Sequence, residues 1–247
     1  MIRPVARGSK AEQLGRLFLA AVVIAFLPSL PLGNYLIYPL TILITWFHEM
    51  GHGLTALLIG QDFQRLVILP SGSGFAETTS SGTMSNVSRA VIAAGGPLGP
   101  TFVGSLLILA SSRHRLWRPA LYSLAGLIAL STLIWVRSTV GLLTLPLVGA
   151  VLAYIGYKGR AWLQRFALQF LGVLAALSML RDLSYLFSYS AVIGGQPMLS
   201  DTGAMQEALL LPYWLWAIVI VALSGMMIGW SLKLALDSPD GRGGWRR

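Results

Sequence analysis

Apolar runs long enough to cross a lipid bilayer follow one another along almost the whole chain. Of its 247 residues, 55% are hydrophobic and only 11% are charged, whereas a typical soluble domain has about 25% charged residues. A helical crossing needs about 20 consecutive apolar residues. Seven segments approach or exceed this length: 17–32, 36–59, 90–110, 117–136, 139–157, 162–190 and 212–236. The sequence therefore predicts an all-α polytopic membrane protein.

The polar parts of the chain are too short to form a separate soluble domain. The longest is residues 61–89, in which "FQRLVILP" is apolar and β-branched, "SGSG" supplies turn residues, and "FAETTSSG" is a second extended piece. This order predicts a short β-hairpin beside the membrane. The basic tail, 237–247, is predicted to be disordered. We therefore expect residues 1–247 to form a single integral membrane domain with one hairpin insertion.

The positive charges of the loops leave the number of crossings at six or seven. If all seven segments cross, the Lys and Arg side chains divide almost evenly between the two membrane faces. If segments 17–32 and 36–59 together make one crossing, most of these charges lie on one face, and the usual charge bias therefore favours six. Membrane topology thus accounts for the net charge of +9, and no nucleic-acid partner is expected.

The stretch "TWFHEMGHGLTALLIG" carries an H-E-x-x-H motif inside the second apolar segment. On a helix, His48 and His52 share one face, so both imidazoles could bind one Zn²⁺ while Glu49 acts on a bound water. The chain has no cysteine, and any metal must be held by His, Asp or Glu. Polar groups without partners are costly in hydrocarbon. A shared metal therefore explains the motif better than two core histidines that hydrogen-bond to neighbouring helices.

A catalytic zinc site usually has a third protein ligand. Asp182 lies eight residues before the end of segment 162–190, and His48 lies eleven residues before the end of segment 36–59. At 1.5 Å per residue, these positions are about 12 and 16 Å from the same membrane face. We therefore predict Asp182 as the third ligand. Asp201 is the alternative, although an aspartate just before an apolar helical run is ordinarily an N-cap.

Together these residues resemble the site-2 protease family of intramembrane zinc metalloproteases, especially its small bacterial branch without an attached soluble domain. The resemblance rests on "HEMGH", on the hairpin that follows, and on "AAGGPLGP" (Ala93–Pro100), which is similar to the alanine-glycine-proline-leucine signature of the family. Gly95 and Gly99 within it form a small-residue face for close helix packing. The chain departs from the family where Asp182 is followed by leucine rather than glycine, and where an asparagine that often follows the glycine-proline-leucine element is absent.

The resemblance implies a multi-pass protein of the bacterial plasma membrane that hydrolyses peptide bonds in or near transmembrane segments. In it, Glu49 would be the general base and His48 and His52 would bind zinc. The substrate would be a transmembrane or membrane-anchored protein, unwound and paired with the hairpin as an added strand. The alternatives are a catalytically inactive membrane scaffold and a metal-handling transporter that uses the same residues. The oligomeric state is left open.

Overall fold

The structure is a computed structural model, and it describes residues 10–80 and 82–237. Within these residues the helices are α1 (Lys10–Phe26), α2 (Gly33–Leu58), α3 (Asn86–Ser111), α4 (Trp117–Ile134), α5 (Thr139–Lys158), α6 (Ala161–Arg181), α7 (Leu183–Leu186), α8 (Asp201–Leu209) and α9 (Tyr213–Asp237). The strands are β1 (Asp62–Ile68), β2 (Gly74–Thr79), β3 (Ser190–Ile193) and β4 (Gln196–Leu199). The predicted disordered tail lies outside the described residues, apart from Asp237.

Five of these helices are long and apolar enough to cross a membrane, namely α3, α4 with the turn before it, α5, α6 and α9. Helix α1 contributes a shorter apolar stretch, Leu14–Ile24. Helix α2 has the length of a crossing, 26 residues, but it is not one of these five helices. The chain is therefore an integral membrane protein, and the predicted all-α polytopic class is confirmed.

The predicted hairpin after the motif helix is confirmed. Strands β1 and β2 are antiparallel, with Asp62 opposite Thr79 and Ile68 opposite Gly74. In the turn between them Gly72 has a φ of 89°, a conformation that glycine adopts without steric cost. The turn is tied to α2, because the Thr45 hydroxyl donates to the Gly72 carbonyl oxygen. The hairpin is thus fixed directly beside the motif.

The two edges of this hairpin have different surroundings. On the outer edge of β1, the backbone N–H of Leu66 donates to the Trp135 carbonyl (2.8 Å), and the N–H of Arg137 donates to the Leu66 carbonyl (2.9 Å). Among the described residues, the only strand that pairs with β2 is β1. One edge of the hairpin is therefore covered by the chain itself, and the outer edge of β2 pairs with no strand among the described residues.

The predicted segment 162–190 is wrong at its C-terminal end. Helix α6 ends at Arg181, a single helical turn (α7) follows, and the chain then enters a second hairpin that the sequence analysis did not predict. Gly194 and Gly195 have φ values of 60° and 80°, and they form the two-residue turn of this hairpin. A pair of adjacent glycines favours a tight hairpin turn. A continuous helix therefore cannot extend through this region.

Small residues bring α2 and α3 into backbone contact at the motif, as the spacing of Gly95 and Gly99 predicts. A Cβ atom at Gly51 of α2 would collide with the carbonyl oxygen of Gly95. A Cβ atom at Gly99 would lie 2.7 Å from the Phe47 carbonyl oxygen, closer than real Cβ atoms approach. Glycine is therefore required on both helices at this crossing, which places α3 against the face that carries the histidines.

Candidate metal centre

The two motif histidines converge on one point beside α3. Their Nε2 atoms lie 3.2 Å apart, and both side chains are half-buried. The Nδ1 atom of His52 is 2.7 Å from the carbonyl oxygen of Ile92. Because a carbonyl oxygen only accepts, Nδ1 carries the hydrogen and Nε2 keeps its lone pair for a metal. Such a bond to the outer ring nitrogen is the usual means of orienting a metal-binding imidazole.

Gly96 of α3 leaves the space in which these ring atoms meet. A Cβ atom at this position would collide with the Nε2 atoms of both His48 and His52. The sequence predicts a packing role for Gly95 and Gly99 but not the role of Gly96. The sequence does contain a signal for the role of Gly96, because the "AAGGPLGP" stretch has three glycines and a single small-residue packing face requires only two of them.

Asp201 completes the cluster. Its Oδ2 atom lies 3.1 Å from the Nε2 atom of His48, and its Oδ1 atom lies 3.2 Å from the Nε2 atom of His52. Within the described part of the chain, His48, His52 and Asp201 form the one group of acidic or imidazole side chains whose ligand atoms all lie within 4.8 Å of one another. The structure therefore brings the alternative aspartate, Asp201, to the histidine pair.

The carboxylate of Asp201 is available because the neighbouring serine caps the helix. Ser200 is the N-cap of α8, and its hydroxyl oxygen accepts from the Gly203 N–H at 3.0 Å. The same hydroxyl donates to the Ser188 carbonyl oxygen, and the Thr202 hydroxyl donates to the Leu186 carbonyl oxygen at 2.6 Å. These bonds fix the start of α8, so Asp201 occupies the first helical position and turns its side chain toward α2.

Helix α8 is also held against α3 by small and flexible apolar residues. Met205 and Ala208 of α8 are buried with Ala90 and Ala93 of α3 in one cluster. The loop after α7 thus folds back into the bundle, and the residues that separate the histidines from Asp201 in sequence do not separate them in space. Local sequence patterns contain no signal for this return of the chain.

Asp182 does not join the metal-binding cluster, contrary to the prediction. It terminates α6, and its backbone N–H bonds to the Ser178 carbonyl oxygen at 3.1 Å. The predicted depth of Asp182 was wrong because α6 ends at Arg181 and not at residue 190. Burial raises the pKa of the Asp182 carboxyl, against the opposing effects of His48 and Arg181. Asp182 is therefore near the cluster but outside it.

The charge of Asp201 is maintained by the imidazoles. Burial alone would raise the pKa of its carboxyl, but His52 and His48 outweigh burial and hold that pKa well below its usual range. Asp201 is thus ionised at neutral pH, the form in which a carboxylate binds a cation.

Glu49 is buried and lines the same cavity as His48, His52 and Asp201. That cavity has a volume of about 280 Å³, and Glu49, His48, His52, Asp201 and Tyr185 contribute to its wall. The carboxyl of Glu49 lies against the backbone of Ala76 in β2. The acid of the motif is therefore positioned between the histidines and the open edge of the hairpin.

The donor atoms are of the types that zinc binds and are spaced much as zinc ligands are, with a different oxygen of Asp201 next to each imidazole. With bonds of about 2.0–2.2 Å, two ligand atoms of a tetrahedral zinc ion lie roughly 3.3 Å apart. The distances from nitrogen to nitrogen and from nitrogen to oxygen are 3.1–3.2 Å here. The Oδ2 atom of Asp201 is buried and receives no hydrogen bond of good geometry from the described residues. A cation between the three side chains would satisfy that oxygen.

A bundle of membrane-spanning helices with two histidines, a buried glutamate and an aspartate around one cavity defines the class of polytopic membrane proteins with a candidate metal-binding site. Sequence comparison agrees with this class. The chain belongs to the Peptidase M50B-like family, whose model matches residues 17–231. This membership confirms the resemblance to site-2 proteases. No curated protein and no solved structure matches the chain significantly.

Proposed function

We propose that this chain is an intramembrane zinc metalloprotease of the bacterial plasma membrane that hydrolyses peptide bonds in or near transmembrane segments of other proteins. The observation that carries the proposal is the convergence of His48, His52 and Asp201, at 3.1–3.2 Å from one another, in a cavity that Glu49 also faces. These three residues would hold the zinc ion. Membership of a peptidase family supports the same activity.

Zinc bound at such a site supplies a water of lowered pKa and polarises a carbonyl group. Glu49 would accept a proton from the attacking water as its oxygen bonds to the carbonyl carbon of the peptide. When the carbon–nitrogen bond breaks, Glu49 would deliver that proton to the leaving amine. Burial of Glu49 beside the histidines keeps it within the cavity in which the peptide must lie.

The open edge of β2 is a suitable binding site for a substrate segment in extended conformation. Phe75, Ala76 and Thr78 of this strand line the cavity, and the opposite edge of the hairpin is already paired with residues 135–137. A transmembrane helix must unwind before its peptide bonds are exposed, and its backbone groups then need partners in a region poor in water. Addition of the unwound segment to β2 as a further strand would supply those partners.

Replacement of Glu49 by glutamine tests the proposal, because the amide keeps the shape of the side chain and cannot accept the proton. The purified full-length protein and Glu49→Gln would be assayed for zinc content and for cleavage of quenched fluorescent apolar peptides in detergent. We expect equal zinc in both proteins and loss of cleavage in the variant by about 1,000-fold, since general base catalysis contributes roughly 100- to 10,000-fold.

Two results would contradict the proposal. A wild-type protein that binds zinc but cleaves neither these peptides nor a panel of single-span membrane proteins would indicate a scaffold. Zinc flux into proteoliposomes that persists in Glu49→Gln would indicate a transporter, because transport does not require a general base.

A further inference from the structure

Tyr185 contributes a hydroxyl group to the active-site cavity, and neither the motif nor the resemblance assigns it a role. It lies on α7, and its ring lines the cavity together with those of His48 and His52. The Tyr185 ring meets the His48 imidazole edge to face, with 6.5 Å between the two centroids and an interplanar angle of 71°. The phenol is therefore next to one of the proposed zinc ligands.

The phenol oxygen and its hydrogen have different surroundings. The oxygen faces the backbone N–H of Asp201, the first amide of α8, which has no acceptor within the helix. None of the hydrogen bonds between described side chains uses the hydrogen of the Tyr185 hydroxyl. A tyrosine hydroxyl both accepts and donates, so the hydrogen of the Tyr185 hydroxyl is available to a group in the cavity.

The ring is held in place by packing. Tyr185 lies against a buried apolar cluster that contains Met179, Leu186 and Ile220. This packing restricts the rotamers of a side chain that lines the cavity. A donor that is fixed in advance stabilises developing charge more effectively than one that must reorient.

On the basis of the proposed function, we propose that Tyr185 is a catalytic residue that donates a hydrogen bond to the carbonyl oxygen of the scissile peptide. As the water oxygen bonds to the carbonyl carbon, the electron pair of the C=O double bond moves to that oxygen. Tyr185 keeps its proton and stabilises the negative charge. When the carbon–nitrogen bond breaks, the electron pair returns, and the amine receives its proton from Glu49.

Kinetics of Tyr185→Phe provide the first test, with Tyr189→Phe as the matched control. Tyr189 is the next tyrosine along the chain, is 38% exposed, and donates its hydroxyl to Glu207 outside the cavity. Removal of one donor to a developing oxyanion lowers kcat by roughly 100- to 1,000-fold. With quenched fluorescent apolar peptides, we expect Tyr185→Phe to lower kcat by about 100-fold with little change in KM, and Tyr189→Phe to behave as wild type.

A binding measurement separates catalysis from structure. A phosphinic dipeptide of leucine carries a tetrahedral, anionic centre, and it should bind Tyr185→Phe about 100-fold more weakly than wild type, because the lost bond belongs to the transition state. The affinity of an uncleaved apolar peptide, measured in Glu49→Gln with and without Tyr185→Phe, should stay the same. Zinc content should also stay the same.

The inference is overturned if Tyr185→Phe cleaves at the wild-type rate. It is also overturned if Tyr185→Phe loses zinc, or if it binds the phosphinic dipeptide and the uncleaved peptide equally more weakly, since the role of Tyr185 would then be structural. Failure of the proposed function is a separate observation made on the wild type, namely no zinc or no cleavage. That result would remove this inference as well.

Discussion

At the scale of single residues, the site depends on how Ser200 and Asp201 share the start of α8. Ser200 satisfies the helix terminus with its hydroxyl, which accepts from Gly203 and donates to Ser188. Asp201 is thereby released from capping and faces the histidines at 3.1–3.2 Å. The capping residue is thus a positioning residue for the carboxylate.

Ser200→Ala should therefore weaken zinc binding without removing a ligand. Loss of a group that orients a metal ligand typically lowers metal affinity by about 10- to 100-fold, and we expect a value near the lower end. Zinc affinity would be measured by competition with a fluorescent chelator. Ser85→Ala is the matched control, because Ser85 caps α3 by accepting from the Ser88 N–H at 3.0 Å and does not line the cavity. Equal affinities in the two variants would contradict this role of Ser200.

The residues within the motif could be read from the sequence, whereas the third acidic residue could not. The i, i+4 spacing alone places His48 and His52 on one face of α2. Asp201 lies in a loop and short helix that return to the bundle, and its position depends on packing of α8 against Ala90 and Ala93. An N-cap was the reasonable expectation for Asp201, and Ser200, one residue earlier, fills that role instead.

At the scale of secondary-structure elements, the hairpin β1–β2 has one covered and one open edge. Residues 135–137 pair with β1, and β2 borders the cavity beside Glu49. Ala76 turns a backbone group toward Glu49, and residue i+2 of a strand repeats the orientation of residue i. Thr78 is therefore expected to direct its backbone N–H toward a bound substrate.

Thr78→Pro should lower kcat/KM for apolar peptides, because proline has no N–H to donate. The loss of one backbone hydrogen bond, about 1 kcal/mol, corresponds to about fivefold. Thr78→Ala, which keeps the N–H, should cleave as wild type, and both variants should bind the same amount of zinc. Equal rates for the proline and alanine variants would exclude strand addition at this edge.

The first hairpin was predictable and the second was not, for a reason visible in the residues. In the first, an apolar β-branched run, a "SGSG" turn and a second extended piece stand between two clear membrane segments. The second hairpin begins shortly after α6. The residues between them, 183–189, are mostly apolar or aromatic, and the predicted crossing therefore continued to residue 190. The Gly194–Gly195 pair was the signal that could have placed the turn.

At the scale of the whole molecule, the proposed zinc ligands come from distant parts of the chain. His48 and His52 belong to α2 near the beginning, and Asp201 belongs to α8 near the end. A cation bound by all three would link these elements across the bundle. Because the cluster forms only when α2, α3 and α8 are assembled, a zinc ion held by it would bind the folded protein in preference to the unfolded chain.

Zinc should therefore raise the unfolding temperature of the protein in detergent. A ligand present at 100 times its Kd stabilises the folded state by about 2.7 kcal/mol. Thermal unfolding would be followed by tryptophan fluorescence with zinc and with a chelator, with Asp201→Asn as the comparison. The wild type should unfold at a lower temperature with the chelator, whereas Asp201→Asn should be insensitive to it. An equal response in the two proteins would show that zinc acts elsewhere.

The identity of the zinc ligands can be decided from the zinc content of three purified proteins: wild type, Asp201→Asn and Asp182→Asn. Each would be measured by mass spectrometry of the metal after dialysis. The two substitutions make the same change of carboxylate to amide, one inside the cluster and one beside it. Our account predicts one zinc per chain in the wild type and in Asp182→Asn, and little or none in Asp201→Asn. Absence of zinc from the wild type, or its loss from Asp182→Asn and not from Asp201→Asn, would contradict the account.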